Sequence, residues 1–333
     1  MSEQFLHRTR EIREQAEAAL APAAARSSES AGREHPEEAD DYRTAFERDR
    51  DRIIHTKAFR RLKHKTQVFL NPEGDHYVTR LTHTVQVTQV GRALAAALGL
   101  NEPLTEAICL GHDVGHSPFG HTGEDALTPY TGTDWLHSAH SVRVLSVLEP
   151  QNLSYEVLDG IRAHSWRVDP PPGTQEGRIC RFADRIAYLT HDVADAIRAG
   201  ILGLSDLPPQ AVARFGDASR LWINAMIRAV IDHSLEAGEV AMDPETLQTM
   251  NELRDFMFAR VYLRPEAEEQ RIRAVAVIQD LVDYFAAHPR EVPSSMTVPG
   301  ADPVTAAIDF VAGMTDRYAI TTHDRLFRPR LFD

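Results

Sequence analysis

Cysteine is scarce: only Cys109 and Cys180 occur in 333 residues. Both sit in apolar, helix-like contexts, which reads as buried thiols in a reducing compartment and not as a disulfide framework. Long apolar runs are missing too, since none reaches the roughly 18 uninterrupted residues of a membrane span. The opening "MSEQFLHRTR" lacks the apolar stretch of a secretory signal. The expectation is a cytoplasmic protein with no membrane partner. Positive charge is in deficit, 36 Lys+Arg against 49 Asp+Glu for a net charge of −13. That balance argues against general binding of nucleic acid or anionic membrane. Neither a glycine-rich phosphate loop of the Walker type, nor βαβ alternation, nor an internal repeat is present.

Helical periodicity is what the chain has instead. Residues 3–22 read as an N-terminal helix, and "SSESAGREHPEEAD" (27–40) as a mobile polar loop. From Ala45 onward the pattern is nearly all helical. His83, Val87, Val90, Leu94 and Leu98 share one stripe; Gly99 is placed to end that helix, and Asn101 and Pro103 to start the next. The next stripe carries Leu104, Ile108 and His112. Over 179–199, Phe182, Ile186, Leu189, Val193 and Ile197 face inward, while Arg181, Asp184, Tyr188, Asp192 and Asp195 form the opposite, acidic side. Further helices are expected near 217–237, 244–261, 267–288 and 302–315, with 288–303 as a loop. The expected fold is all-α.

Two local features call for chemistry. "LGHDVGHSPFGHTGED" (110–125) gathers His112, Asp113, His116, His121 and Glu124 among glycines. Such a stretch is either a polar surface loop or a metal and acid–base site. Between Arg43 and Lys65, nine Lys/Arg face three Asp/Glu. That island is either a solvated helix face or a seat for a compact polyanion. Four residues could share a metal: His83, His112, Asp113 and Asp184. Two neutral imidazoles and two carboxylates formally cancel a divalent charge and suit a borderline or hard ion, unlike a structural thiolate zinc site. An ion held there would lower the pKa of a water and polarise a phosphoryl oxygen.

His83, "HD" at 112–113 and Asp184 together resemble the H…HD…D signature of the HD superfamily of metal-dependent phosphohydrolases. The likeness widens with "RDRDRIIHTKAFRRLKHKTQVF", "RLTHTVQV", "HDVGHSPFGHTGED", "ADRIAYLTHDVADAIRAG" and "GMTDRYA". In that order they resemble the deoxynucleoside triphosphate triphosphohydrolases of the dGTPase-like branch. The resemblance covers about 42–200, returns near 308–320, and finds nothing to match in 205–300. It implies an N-terminal helix and loop (1–41), an HD core (42–200) and a C-terminal helical part (201–333) packed on it and contributing to the pocket.

The resemblance also implies roles. His83, His112, Asp113 and Asp184 hold one divalent ion, Mn²⁺ or Mg²⁺, with Fe, Co, Ni or Zn admitted, and a second Mg²⁺ can arrive with the triphosphate. Water attacks the α-phosphorus and the nucleoside leaves, so inorganic triphosphate is released intact. His121 with Glu124 matches the catalytic histidine–acid pair, and His116 and His137 match positions facing the phosphates. The division of acid and base roles stays open. Arg61, Arg80 and Arg185 match positions near phosphate or sugar, where guanidinium forks suit phosphate oxygens; Lys57, Arg60 and Lys63 are weaker candidates. Tyr188 and Asp192 match the sugar pair, the ring against C2′ and the carboxylate accepting from the 3′-hydroxyl. Tyr318 belongs either near the base or to the core. A homo-oligomer is implied and a nucleotide effector admitted. The segments 124–135 and 151–179 are short compared with many relatives, which leaves the base preference open. Competing readings are an alarmone hydrolase or a 5′-nucleotidase on the same quartet, or a non-catalytic nucleotide sensor, which would be expected to lack His121 or Glu124.

Overall fold

The computed structural model describes residues 5–67, 78–216 and 220–329. Among these residues it is all-α: fifteen helices, two isolated bridges (Arg33–Ser154 and Thr66–Thr79) and no strand. The helices are α1 (Arg10–Ala16), α2 (Ala45–His55), α3 (Lys57–Arg61), α4 (Arg80–Leu98), α5 (Glu102–Gly111), α6 (His121–Leu127), α7 (His137–Arg143) and α8 (Tyr155–Ala163). After these come α9 (Gln175–Arg198), α10 (Pro209–Phe215), α11 (Arg220–Ala237), α12 (Pro244–Met257), α13 (Pro265–Ala287), α14 (Pro303–Ala312) and α15 (Asp316–Phe327). None of the described helices is long and apolar enough to cross a membrane.

The central helices begin and end where their cap residues dictate. Thr79 accepts from the Thr82 N–H at the start of α4, and Gly99, at φ 65°, closes it in the left-handed conformation that glycine adopts without strain. Asn101 then caps α5 by accepting from the Leu104 N–H, with proline in the first turn. Thr174 caps α9 in the same manner. The inward stripes of α4, α5 and α9 (Val87, Leu94, Leu104, Ile108, Ile186, Leu189) are all fully buried in one apolar cluster. This cluster runs from Ala24 to Val261 and so draws on helices both before and after residue 200. A second cluster joins Phe119, Leu127 and Trp135 to Ile278, Leu281, Phe310 and Val311 of α13 and α14.

Two expectations are revised. Among the described residues of the expected 3–22 helix there are only a seven-residue helix and one 3₁₀ turn, Glu17–Ala19, and residues 3–4 lie outside the described residues. The stretch 27–40 is polar but tied down. Arg33 pairs with the buried Asp49 and donates to the Asn152 and Ala45 carbonyls, while Glu37 meets Arg33, Arg48 and Arg52. Charge pairing fixes this segment where apolar burial does not.

Candidate active site

The glycines of 110–125 are present because helices press against them. A Cβ on Gly111 would lie 2.4 Å from Ile161, and one on Gly115 would lie 2.2 Å from the Ser141 backbone nitrogen. On Gly123 it would lie 2.2 Å from the Pro118 carbonyl. Gly111 thus lets the end of α5 approach α8, and Gly115 lets the segment after it approach the backbone of α7. Its polar groups are met there: Gly115 N–H donates to Ser141 Oγ at 2.9 Å, Ser141 Oγ–H to the His112 carbonyl at 2.8 Å, and His140 Nδ1–H to the Gly115 carbonyl at 2.8 Å. Below it, Lys65 is almost fully buried and donates to the carbonyls of His116 and Ala312. Burial lowers that ammonium to about 7. Asp316 accepts from the N–H of Thr66 at 2.8 Å and of Phe119 at 3.1 Å, so α15 fixes the far end of the loop.

Three helices then converge. His83 of α4, His112 at the end of α5 and Asp184 of α9 bring one ligand-type atom each within 4.8 Å of one another. His83 Nε2 lies 3.0 Å and His112 Nε2 3.9 Å from Asp184 Oδ1. His112 Nδ1–H donates to the Cys109 carbonyl at 2.6 Å, which leaves a lone pair on Nε2. That Nε2 is buried and has no hydrogen-bond partner among the described residues. An orphaned imidazole nitrogen aimed at two carboxylates fits a divalent cation. Burial raises the Asp184 carboxyl, but the His83 hydrogen bond and the His112 charge hold it below its ordinary value. Burial lowers the His112 imidazole below its ordinary value.

Asp113 stands slightly apart. Its Oδ2 lies 3.6 Å from His112 Nε2 and accepts from Arg80 Nη1 at 2.7 Å; its Oδ1 lies 3.8 Å from His137 Nε2. Beyond it, Glu124 bridges two histidines. His121 Nδ1–H donates to Oε2 at 2.7 Å, and His137 donates to Oε1 from Nδ1 at 2.6 Å and from its backbone N–H at 2.8 Å. Burial raises Glu124, but His137 and His121 hold it well below the carboxylate range. Burial lowers His137, yet Glu124 outweighs it and the net shift is upward. His116 stacks on His137 at 4.4 Å; burial, helped by the Arg80 charge, holds it well below its ordinary value. The His121 ring is 69% exposed and presents Nε2 outward.

The substrate candidates fall into three groups. Arg80 is buried against Asp113, with its Nε unpartnered among the described residues. Arg185 lies over the Trp166 ring at 4.2 Å and donates to Asn251 at 2.7 Å. Asp192 is buried and accepts from Tyr262 at 2.7 Å; burial raises it to about 7 against the lowering effect of that bond. Tyr188 is half-buried one turn away, and burial raises it to about 12. Arg61 pairs with Glu149 at 3.0 Å. Tyr318 is half exposed in the first turn of α15.

The positive island is largely cancelled from outside its own span. Asp40 meets Arg43, Glu37 meets Arg48 and Arg52, Glu106 meets Arg50, and Glu149 meets Arg61. Lys57, Arg60 and Lys63 are exposed. Lys65, Trp166, Asn251 and Tyr262 were not singled out from sequence, nor was His164, whose Nε2 lies 3.0 Å from His137 Nε2. The partners that give them meaning are distant in sequence, from Arg185 for Trp166 to Ala312 for Lys65.

Residues 80–189 match the HD domain family, and residues 240–325 match the phosphohydrolase-associated domain. The chain is 46% identical to a deoxyguanosinetriphosphate triphosphohydrolase-like protein of Caldanaerobacter subterraneus subsp. tengcongensis, covering 97% of this chain and 96% of that protein. A protein of the same description from Desulfatibacillum aliphaticivorans is 43% identical over 93% and 95%. The chain belongs to the deoxyguanosinetriphosphate triphosphohydrolase-like family. It is an HD-type phosphohydrolase with His/Asp/Glu clusters able to hold a metal. The stretch 205–300, silent in sequence, is in large part the phosphohydrolase-associated domain.

Proposed function

We propose that the protein hydrolyses deoxynucleoside triphosphates, dGTP or several dNTPs, to deoxynucleoside and inorganic triphosphate in the cytoplasm. The observation that carries this reading is the continuous ring contact from the His83–His112–Asp184 cluster through Asp113 and His137 to the His121–Glu124 pair. A candidate ligand cluster and a histidine–carboxylate pair thus adjoin through Asp113 and His137, and the family supplies the substrate class. The family's four-ligand set is His83, His112, Asp113 and Asp184, and a divalent ion on it would polarise the α-phosphoryl group and activate water.

The chain's own residues supply the rest. Glu124 fixes the His121 tautomer, so Nε2 is the atom that meets the reacting group. For this step His121 must carry protons on both ring nitrogens: the Nε2 proton passes to the departing 5′-oxygen as its bond to phosphorus breaks, while the attacking water's oxygen stays on the triphosphate and its protons go to solvent. His116 and His137 line the wall beside the phosphates, with Arg80 behind them and Arg185 and Arg61 as further cationic contacts. Tyr188 closes against C2′, which disfavours a ribose hydroxyl sterically, and Asp192 accepts from the 3′-hydroxyl. Tyr318 lies towards the base.

The test is a panel of the four dNTPs and GTP with Mn²⁺ or Mg²⁺, following nucleoside and phosphate products in water enriched in heavy oxygen. Equal amounts of deoxynucleoside and triphosphate are expected, with label only in triphosphate. Orthophosphate or pyrophosphate as first product moves the protein to another HD class. Binding of nucleotides without turnover makes it a sensor.

A further inference from the structure

We propose that Trp166 is a positioning residue, whose indole face holds the Arg185 guanidinium where a carboxylate would otherwise stand and leaves its N–H edge free for an anionic substrate. The proposal rests on the reading of Arg185 as a cationic contact of the phosphates, and adds what orients it.

Arg185 is a buried cation with no counter-charge in contact. It is 8% exposed on α9, and its Nε has no hydrogen-bond partner among the described residues. Nη1 donates at 2.7 Å to Asn251 Oδ1 of α12, which is neutral. Burial pulls the guanidinium below its ordinary value, and the charge of Arg254 adds to that. A buried charge left without compensation is costly. What lies against it is the Trp166 ring, 4.2 Å from Cζ to the centroid. The negative face of an indole attracts a guanidinium, and more so where water is excluded.

The choice of a ring over a carboxylate has a consequence for binding. A carboxylate pairs with the guanidinium edge-on, through two parallel N–H donors, which is how phosphate oxygens pair with it too. An aromatic ring takes the face of the plane and uses none of those donors. Arg185 is thereby kept charged and oriented without a competitor for the phosphate.

The indole is itself held in place. Trp166 Nε1–H donates to the Arg181 carbonyl at 3.1 Å, and its ring meets Phe182 edge-on at 5.2 Å. Arg181 donates from Nε to the Ala163 carbonyl at 2.8 Å, and from Nη2 to the Ser165 and Val168 carbonyls at 3.0 and 2.6 Å. The turn between α8 and α9 that carries Trp166 is thus stapled to α9 one helical turn before Arg185. Core packing does not account for the ring, which remains 37% exposed.

The experiment is a double-mutant cycle on the full chain with Mn²⁺ present, reading the affinity for inorganic triphosphate by calorimetry and the fold by circular dichroism. Trp166→Leu should weaken binding by about two- to thirtyfold, the range of a cation–π contact. Trp166→Phe, which keeps a ring, should recover most of that loss. In an Arg185→Gln background, Trp166→Leu should change nothing further, because the indole acts through the guanidinium. Wild-type affinity in Trp166→Leu overturns the proposal and leaves Arg185 as a phosphate contact. An equal loss with and without Arg185 also overturns it, since the ring then supports the site in some other way. Wild-type affinity in Arg185→Gln sinks the reading of Arg185 itself. Should Trp166→Leu fail to fold, Trp166→Phe carries the same cycle, with a smaller loss that must again vanish in Arg185→Gln.

Discussion

Tyr262 donates its hydroxyl hydrogen to Asp192 at 2.7 Å, joining the turn after α12 to the middle of α9. The bond matters because Asp192 is poised near neutrality. Burial raises its carboxyl from 3.8 to about 7, and Tyr262 works against that rise. If Asp192 accepts from a sugar hydroxyl, it must be ionised to do so best, and kcat/KM should climb as pH passes through about 7. Tyr262→Phe removes a donor to the charged form, worth about 1.5–3 kcal/mol, and should move that limb up by about one to two pH units. A limb that stays in place in the variant would show that another group controls it.

Stability should respond through the same bond. Because the folded pKa lies above the unfolded one, the stability Asp192 contributes is fully present below about 4 and is lost as pH rises through about 7. Tyr262→Phe should therefore destabilise the protein more at pH 8 than at pH 5, as read by urea unfolding. Equal losses at both would mean that Asp192 does not change charge in that window.

Asp184 keeps 22% of its side-chain surface while His83 and His112 beside it are closed off. It is thus the most exposed of the four ligand candidates. Asp184→Asn should reduce bound metal and stop turnover, with circular dichroism near wild type. Full metal occupancy by elemental analysis would remove Asp184 from the ligand set.

Much of the candidate site could be read from the chain because its candidate ligands sit on helical stripes. His83 and His112 interrupt otherwise apolar faces, and Asp184 shares an acidic side with Tyr188 and Asp192. Long-range pairing was not readable. The positive island is neutralised by Asp40, Glu37, Glu106 and Glu149, carboxylates outside the span in which it was counted. His164 and Tyr262 carry no local pattern, and their meaning comes from His137 and Asp192, 27 and 70 residues away. Periodicity reports which face of a helix is buried, but not what the neighbouring helix places against it.

His121 contacts Glu124 through Nδ1 and leaves Nε2 outward, so the proposed role is proton transfer without metal ligation. His121→Ala should keep both metal content and substrate affinity while the rate falls by roughly two to four orders of magnitude. Single-turnover rates beside metal analysis separate the cases. Loss of metal together with activity would make His121 a ligand or a structural support.

Gly115 tests whether the loop is held by backbone contact. A Cβ there would lie 2.2 Å from the Ser141 nitrogen and 2.5 Å from the His140 carbonyl carbon, both main-chain atoms of α7. Neither can rotate away, so Gly115→Ala must push α7 from the loop. That shift breaks the Gly115–Ser141 and His140–Gly115 hydrogen bonds. A loss of about 3 kcal/mol or more is expected, at the upper end for overpacking. Gly132 is the control, with φ 70° and nothing within 4 Å of an added Cβ. Gly132→Ala carries only backbone strain, about 1 kcal/mol. Urea unfolding of both variants should separate them by about 2 kcal/mol, and Gly115→Ala alone should lose turnover, since His137 opens α7 and moves with it. Equal stability of the two variants would mean that α7 yields easily, and that the glycine at 115 is not what sets the spacing of His116 and His137.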